Sequence, residues 1–332
     1  MKHPRTCTTV LLAVSLATVL SGCSLGPIDL GGLVTTTSVA DARSALRSSL
    51  SPAVSDADLV EAGTLTVGVT ADETVPLAIA AADGTIEGIN VDVAYALADE
   101  LGLSSVKVVS VDGVAEGLEA GCDVVMGATA GDASDAVAVQ GSYAQDAVAL
   151  FGATAGGSAA GAAPVSASDL SGKTVGVQAG SVSSSTLSKL NLGITATTYS
   201  NLNDAFAALE AGEVDYVACD AYSGAYLASV SEKIAFAGTL DDASAVGMAT
   251  SADKAALQAA VASAVEEISS NGVVGVARGR WVGSLPVLGE ETKVSGLAEA
   301  SDTTAGEDAA SEDGTPAEAD ATAPATDTTS AE

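Results

Sequence analysis

Thr66-Val67-Gly68-Val69 recurs as Thr174-Val175-Gly176-Val177, and Leu118-Glu119-Ala120-Gly121 recurs as Leu209-Glu210-Ala211-Gly212. The pairs keep the same order, and each Leu-Glu-Ala-Gly copy leads into a further Val-rich run. The Thr-Val-Gly-Val runs are short, β-branched and bounded by turn residues, which predicts buried strands. Helices are expected at 91–101 and 203–211, the second with Asn203 as N-cap. Each half thus reads strand, loop, helix, helix, strand, and such alternation implies a mainly parallel sheet flanked by helices. A longer helix is expected at 252–270, where Leu257, Val261, Ala264, Val265 and Ile268 make one apolar stripe that Asn271-Gly272 ends. A short amphipathic piece ending at Trp281 closes the fold. The fold class is α/β with two lobes, joined by the Gly-, Ala- and Ser-rich stretch 153–168. A ligand cleft is expected between the lobes, beyond the carboxyl ends of the strands.

The flanks differ from this body. Lys2 and Arg5 precede an apolar run at 10–20 and then Leu20-Ser21-Gly22-Cys23. The run is about half the ~20 residues of a spanning helix, so it reads as a removable signal segment. Leu-Ser-Gly-Cys resembles the bacterial lipobox, which implies cleavage after residue 22, lipid (palmitate) on Cys23 and an extracytoplasmic, membrane-anchored location. An ordinary secretory signal with a coincidental Cys is the alternative. Residues 24–60 read as a tether or a short helix at 40–50. From about 290 the apolar pattern fades, and 296–332, rich in Ala, Thr, Asp, Glu, Ser and Pro, is expected to be a disordered acidic tail.

Charge and composition exclude several classes. The chain carries 43 acidic against 12 basic residues, a net charge of −31, and removal of Lys2 and Arg5 makes it more acidic still. Such a chain repels nucleic acid and anionic lipid. His3 is the single histidine and leaves with the signal, removing Ser-His-Asp, Cys-His and His-metal chemistry together. No catalytic residue, metal or cofactor is therefore expected. Cys7 leaves too; Cys122 and Cys219, each in a Val-rich run, read as buried free thiols, with a disulfide or metal pair as the alternative.

Residues 62–284 resemble an extracellular solute-binding protein of the family-3 (polar amino acid) type, which serves ABC importers. The likeness runs through Gly63-Thr64-Leu65-Thr66-Val67-Gly68-Val69 and Asp83-Gly84-Thr85-Ile86-Glu87-Gly88-Ile89-Asn90-Val91-Asp92. It continues through Leu118 to Val125, Asp169 to Ser181 and Ala208 to Asp215, and ends near Gly279-Arg280-Trp281. It implies the two-lobed type II periplasmic binding fold, with chain crossings near 152 and 243. Lobe 1 is then 62–152 plus 243–288 and lobe 2 is 153–242, after a signal at 1–22 and a tether at 23–60. The resemblance also implies a monomer that passes a small solute to an ABC-transporter permease.

The departures bear on the ligand. In the family an Arg a dozen residues after the Asp of the second lobe-one strand clamps the ligand's carboxylate. Counting from Asp123, that place holds Asp135, or Asp132 in another alignment, and no Lys or Arg occurs between Lys107 and Lys173. A carboxylate there repels what a guanidinium would attract. The aromatic of the first loop is also replaced, by Asp72-Glu73-Thr74-Val75-Pro76-Leu77. In the second lobe Gln178-Ala179-Gly180-Ser181 keeps a turn that meets ligand carboxylates in relatives, and Asp220 keeps the acid that pairs with an ammonium. Either residue could instead be a helix cap.

The ligand-contacting set implied is Asp72, Glu73, Leu77, Asn90, Ala128, Asp132, Asp135, Gly180, Ser181 and Asp220. Its acids imply a cationic or neutral solute, or else a degenerate lobe that binds weakly. A sensory domain that feeds no importer, and a carboxylate-based enzyme such as a dehydratase, are the further alternatives.

Overall fold

The computed structural model describes residues 51–70, 75–154 and 164–297. The signal segment, Cys23, the helix expected at 40–50, most of the acidic tail, Asp72 and Glu73 lie outside them. Among the described residues no helix is long and apolar enough to cross a membrane.

Two five-stranded sheets carry the fold. The first has the order β4-β1-β5-β12-β6, built from β1 (Thr64–Val69), β4 (Ser105–Ser110), β5 (Val124–Ala128), β6 (Val137–Asp146) and β12 (Ser244–Ser251). The second has the order β11-β7-β10-β8-β9, built from β7 (Val148–Ala153), β8 (Thr174–Gln178), β9 (Thr195–Tyr199), β10 (Tyr216–Asp220) and β11 (Ile234–Thr239). In each sheet one strand runs against the other four: β12 in the first and β7 in the second. A two-stranded hairpin, β2 (Ile79–Ala80) with β3 (Ile86–Glu87), precedes the first helix.

Both Thr-Val-Gly-Val runs are strands, β1 and β8, hydrogen-bonded on both edges and apolar on both faces. Gly68 is needed for packing: a Cβ there would stand 3.0 Å from the Cys122 sulfur and 3.1 Å from Val125. The repeat is reproduced in hydrogen bonds. Thr66 N donates to Asp123 Oδ2 at 2.9 Å, and Thr174 N donates to Asp215 Oδ2 at 2.8 Å. Each acid returns its own N–H to the same threonine's carbonyl. Asp123, fully buried, also accepts from Val60 N and lies 3.6 Å from the Lys254 ammonium, so its charge is compensated.

Helices α1 (Ile89–Glu100) and α2 (Val114–Glu119) flank the first sheet. In the second lobe lie α3 (Ala167–Leu170), α4 (Val182–Leu190), α5 (Leu202–Ala211) and α6 (Ala221–Ala228). The chain returns to lobe 1 with α7 (Ala255–Ser270) and α8 (Val273–Val282). All five residues of the expected apolar stripe are buried on α7. Asp92 on α1 accepts from Arg280 at 3.0 Å and from the Trp281 indole at 2.8 Å, joining two motifs 188 residues apart.

Four expectations need correction. A strand, β4 or β9, stands between the two helices of each half; both are sheet edges whose polar, half-exposed residues hide the strand pattern. The N-cap of α5 is Asn201, whose Oδ1 accepts from Asp204 N at 2.9 Å, and not Asn203. The first change of sheet falls at Ala147 and not near 152, because 148–153 is β7 of the second sheet. The chain also crosses a third time after α8: Val294 N donates to Thr239 O and Ser295 N to Val165 O, so 292–295 lies on lobe 2.

Candidate functional site

The two sheets meet where β6 becomes β7 and where β11 becomes β12. These crossings run side by side: Leu240 N donates to Val148 O at 2.7 Å, and Val148 N to Asp241 Oδ1 at 2.8 Å. A pocket of about 310 Å³ opens on them, lined by Asp146, Ala147, Val148, Val182, Ser183, Asp220, Ser223, Asp241, Asp242 and Ser244. That volume is at the small end of ligand pockets. It lies at the carboxyl ends of β6 and β10 and at the first turns of α4 and α6, where an open α/β sheet presents its ligand. A larger cavity of about 610 Å³, mostly apolar, lies among Phe151, Phe236, Ala228 and Leu285 and includes none of the crossing residues. The smaller pocket is the candidate because charged groups converge on it.

Asp220 ends β10 and caps α6, accepting from Ser223 N at 2.7 Å through Oδ1. Ser223 Oγ in turn donates to Val75 O of lobe 1 at 2.7 Å, so the first-lobe loop reaches the pocket's edge. Asp146 faces Asp220. Its Oδ1 is sequestered from solvent and has no hydrogen-bond partner. Burial, together with a hydrogen bond to Asp220 and that group's charge, pushes Asp146 up to about 9. Burial also raises Asp241. Lys293 stands at the rim, held by Asp242 at 2.6 Å and Glu290 at 3.4 Å.

Of the expected residues that the structure describes, Asp220 lines this pocket and the others do not. Ser181 is next to it, but its hydroxyl caps α4, accepting from Ser184 N at 3.1 Å and donating to Gln178 O at 2.9 Å. Gly180 supplies the left-handed turn before it, with φ +70°. Asn90 is buried, its Oδ1 accepting from Tyr143 Oη at 2.6 Å while Gly127 N donates to the same hydroxyl. Leu77 and Ala128 are core residues. Asp132 accepts from Thr129 N and Oγ1 at 2.7 and 2.9 Å in a tight turn, and Asp135 is exposed.

Sequence reasoning missed Asp146, Asp241 and Asp242. A signal for Asp146 was present: it is the one acid in the stretch from Tyr143 to Phe151. Cys122, in the loop before β5, and Cys219, in β10, are free and buried, and burial raises both thiols. Among the described residues no group of three His, Cys, Asp or Glu is placed to hold a metal ion.

No family model and no curated protein matches the chain. Solved structures do. An ancestral cationic amino acid solute-binding protein is 24% identical with a TM-score of 0.56, covering 68% of this chain and 99% of its own. The L-cystine solute receptor of Neisseria gonorrhoeae is 17% identical with a TM-score of 0.57, covering 71% and 100%. A polar amino acid ABC uptake transporter substrate-binding protein from Streptococcus thermophilus is 19% identical with a TM-score of 0.57, covering 68% and 88%. At these identities the likeness is one of architecture, and the chain has the two-lobed α/β fold of bacterial amino-acid solute-binding proteins.

Proposed function

We propose that the chain is an extracytoplasmic solute-binding protein, tethered through lipid on Cys23, that captures a small amino-acid-like solute of zero or positive net charge for an ABC importer. The observation that carries this reading is the pocket at the crossings. Asp146, Asp220, Asp241 and Asp242 line it, none of its described lining residues is cationic, and Lys293 is engaged by Asp242. An ammonium gains two facing carboxyl groups there. The first turn of α4 offers the partial positive charge of a helix N-terminus to a ligand carboxylate. A second carboxylate on the ligand would meet acids of its own sign.

Calorimetry and thermal shift on the purified chain test the reading against L-arginine, L-lysine, L-glutamine, L-glutamate and L-aspartate. Saturation with a cationic or neutral member at about 100 times its Kd is expected to add about 2.7 kcal/mol, or roughly 5–10 °C in Tm at this size. Glutamate and aspartate are expected to give no shift. Tight binding of either acid, or no shift with any of the five, would reject the proposal. Separately, Cys23→Ser is expected to move the protein from the membrane to the soluble fraction; retention in the membrane would refute the lipid anchor.

A further inference from the structure

We infer that Asp146 is a specificity-determining residue whose proton is exchanged for the cation of the solute, so that the pocket takes up a positive charge only as it releases H⁺. The inference rests on the ligand reading above and adds a residue and a reaction to it. Asp146 is the last residue of β6, one position before the chain changes sheet, and it lines the pocket beside Asp220. Two neighbours fix the frame around it: Ala221 N donates to Ala147 O at 2.9 Å, and Asp241 is held by Val148 N. Asp220 is held by Ser223 N through one oxygen.

Asp146 Oδ1 is the exception, a fully sequestered oxygen with no partner. A buried ionised carboxylate left in that state is costly, and a proton shared with Asp220 is the cheapest remedy in the free protein. A ligand ammonium is the alternative remedy. It supplies three N–H donors, enough to satisfy Asp146 and Asp220 together. The exchange is balanced: the carboxyl O–H bond of Asp146 breaks, its proton goes to solvent, and the incoming ammonium forms hydrogen bonds to the resulting carboxylate.

The groups facing Asp146 come from every element packed round it. They are Asp220 at the start of α6, Asp241 and Asp242 on the second crossing, the buried Cys219 thiol of β10, Tyr222 of α6, whose hydroxyl accepts from the neighbouring Gln145 N and from Arg278 of α8, and Lys293, which reaches Asp242 from the C-terminal segment. Ser183, Ser223 and Ser244 complete the polar lining without charge. Among the described residues the cations of this region are already engaged, Lys293 by Asp242 and Glu290 and Arg278 by the Tyr222 hydroxyl and the Pro286 carbonyl.

The test is calorimetry of L-arginine binding at pH 6, 7 and 8, each in two buffers of different ionisation enthalpy, on the unaltered chain and on Asp146→Asn. The unaltered chain is expected to release close to one proton per arginine and to gain affinity by about tenfold per pH unit. Asp146→Asn is expected to release none and to show a flat pH profile. Equal release by both proteins, or no release by the unaltered chain, overturns the exchange while leaving arginine binding, and hence the ligand reading, intact. Failure of arginine alone to bind overturns the exchange, and failure of all five solutes overturns the ligand reading with it.

A ligand-free measurement gives the second check. A carboxyl protonated in the fold but ionised in the unfolded chain weakens folding as pH rises from the ordinary value of 3.8 to about 9. Asp146→Asn, which cannot ionise, is therefore expected to exceed the unaltered chain in Tm by a margin that widens from pH 5 to pH 8. A margin independent of pH would show that Asp146 holds no such proton.

Discussion

Asp220→Asn is expected to weaken binding of a cationic solute by about 30-fold or more while leaving the fold intact. The residue has two jobs in one side chain. It caps α6 through Ser223 N, and it presents a carboxylate to the pocket. Asparagine is as good an N-cap as aspartate, so the first job survives the exchange. The second does not, because the amide carries no charge. Truncating one partner of a buried, hydrogen-bonded charge pair costs about 2–5 kcal/mol, and the lower end of that range is about 30-fold in Kd. Asp220→Ala removes both jobs and is expected to lose about 1 kcal/mol of stability as well. Chemical unfolding and calorimetry on the two variants separate the roles. Unchanged affinity in Asp220→Asn would reduce Asp220 to a cap.

That separation matters because the sequence alone leaves both Asp220 and Ser181 open to a binding or a capping role. The fold was legible where strands are buried on both faces: β1 and β8 are continuous apolar runs, and the α7 stripe repeats at helical spacing. It was not legible at β4 and β9, where Ser105 to Ser110 and Thr195 to Tyr199 mix polar and apolar residues along a sheet edge. The site was half legible for a related reason. Asp220 follows a strand whose end can be read, whereas Asp146 stands where one extended run passes from one sheet to the other without a turn residue. Gln145-Asp146-Ala147-Val148 contains no Gly or Pro to mark the change, so neither the crossing nor the carboxyl beside it stands out in the sequence. Asp123 anchors the count to the missing Arg, yet its own role is to hold the backbone of β1.

Gly88→Ala is expected to be the most damaging small substitution at the rim of the cleft. Gly88 precedes α1 with φ +135°, a conformation L side chains rarely adopt, and a Cβ there would fall on the carbonyl oxygens of Leu77 and Pro76. Those carbonyls are not free to move. Pro76 O accepts from Ile89 N at 3.1 Å and Leu77 O from Asn90 N at 2.9 Å, so the loop itself satisfies the first amides of the helix. The strained backbone costs about 1–3 kcal/mol, and overpacking against atoms that cannot swing aside costs about 1–3 kcal/mol more. The loss extends to the site, because the displaced loop carries Val75, whose carbonyl receives the Ser223 hydroxyl from the other lobe. Urea unfolding of Gly88→Ala is expected to show a midpoint lowered by this amount, with weaker solute binding in the fraction that remains folded. Ser223→Ala isolates the second effect, since it removes the interlobe bond and leaves the α1 terminus untouched. Full stability in Gly88→Ala would mean that the loop is not held on the helix by these two hydrogen bonds.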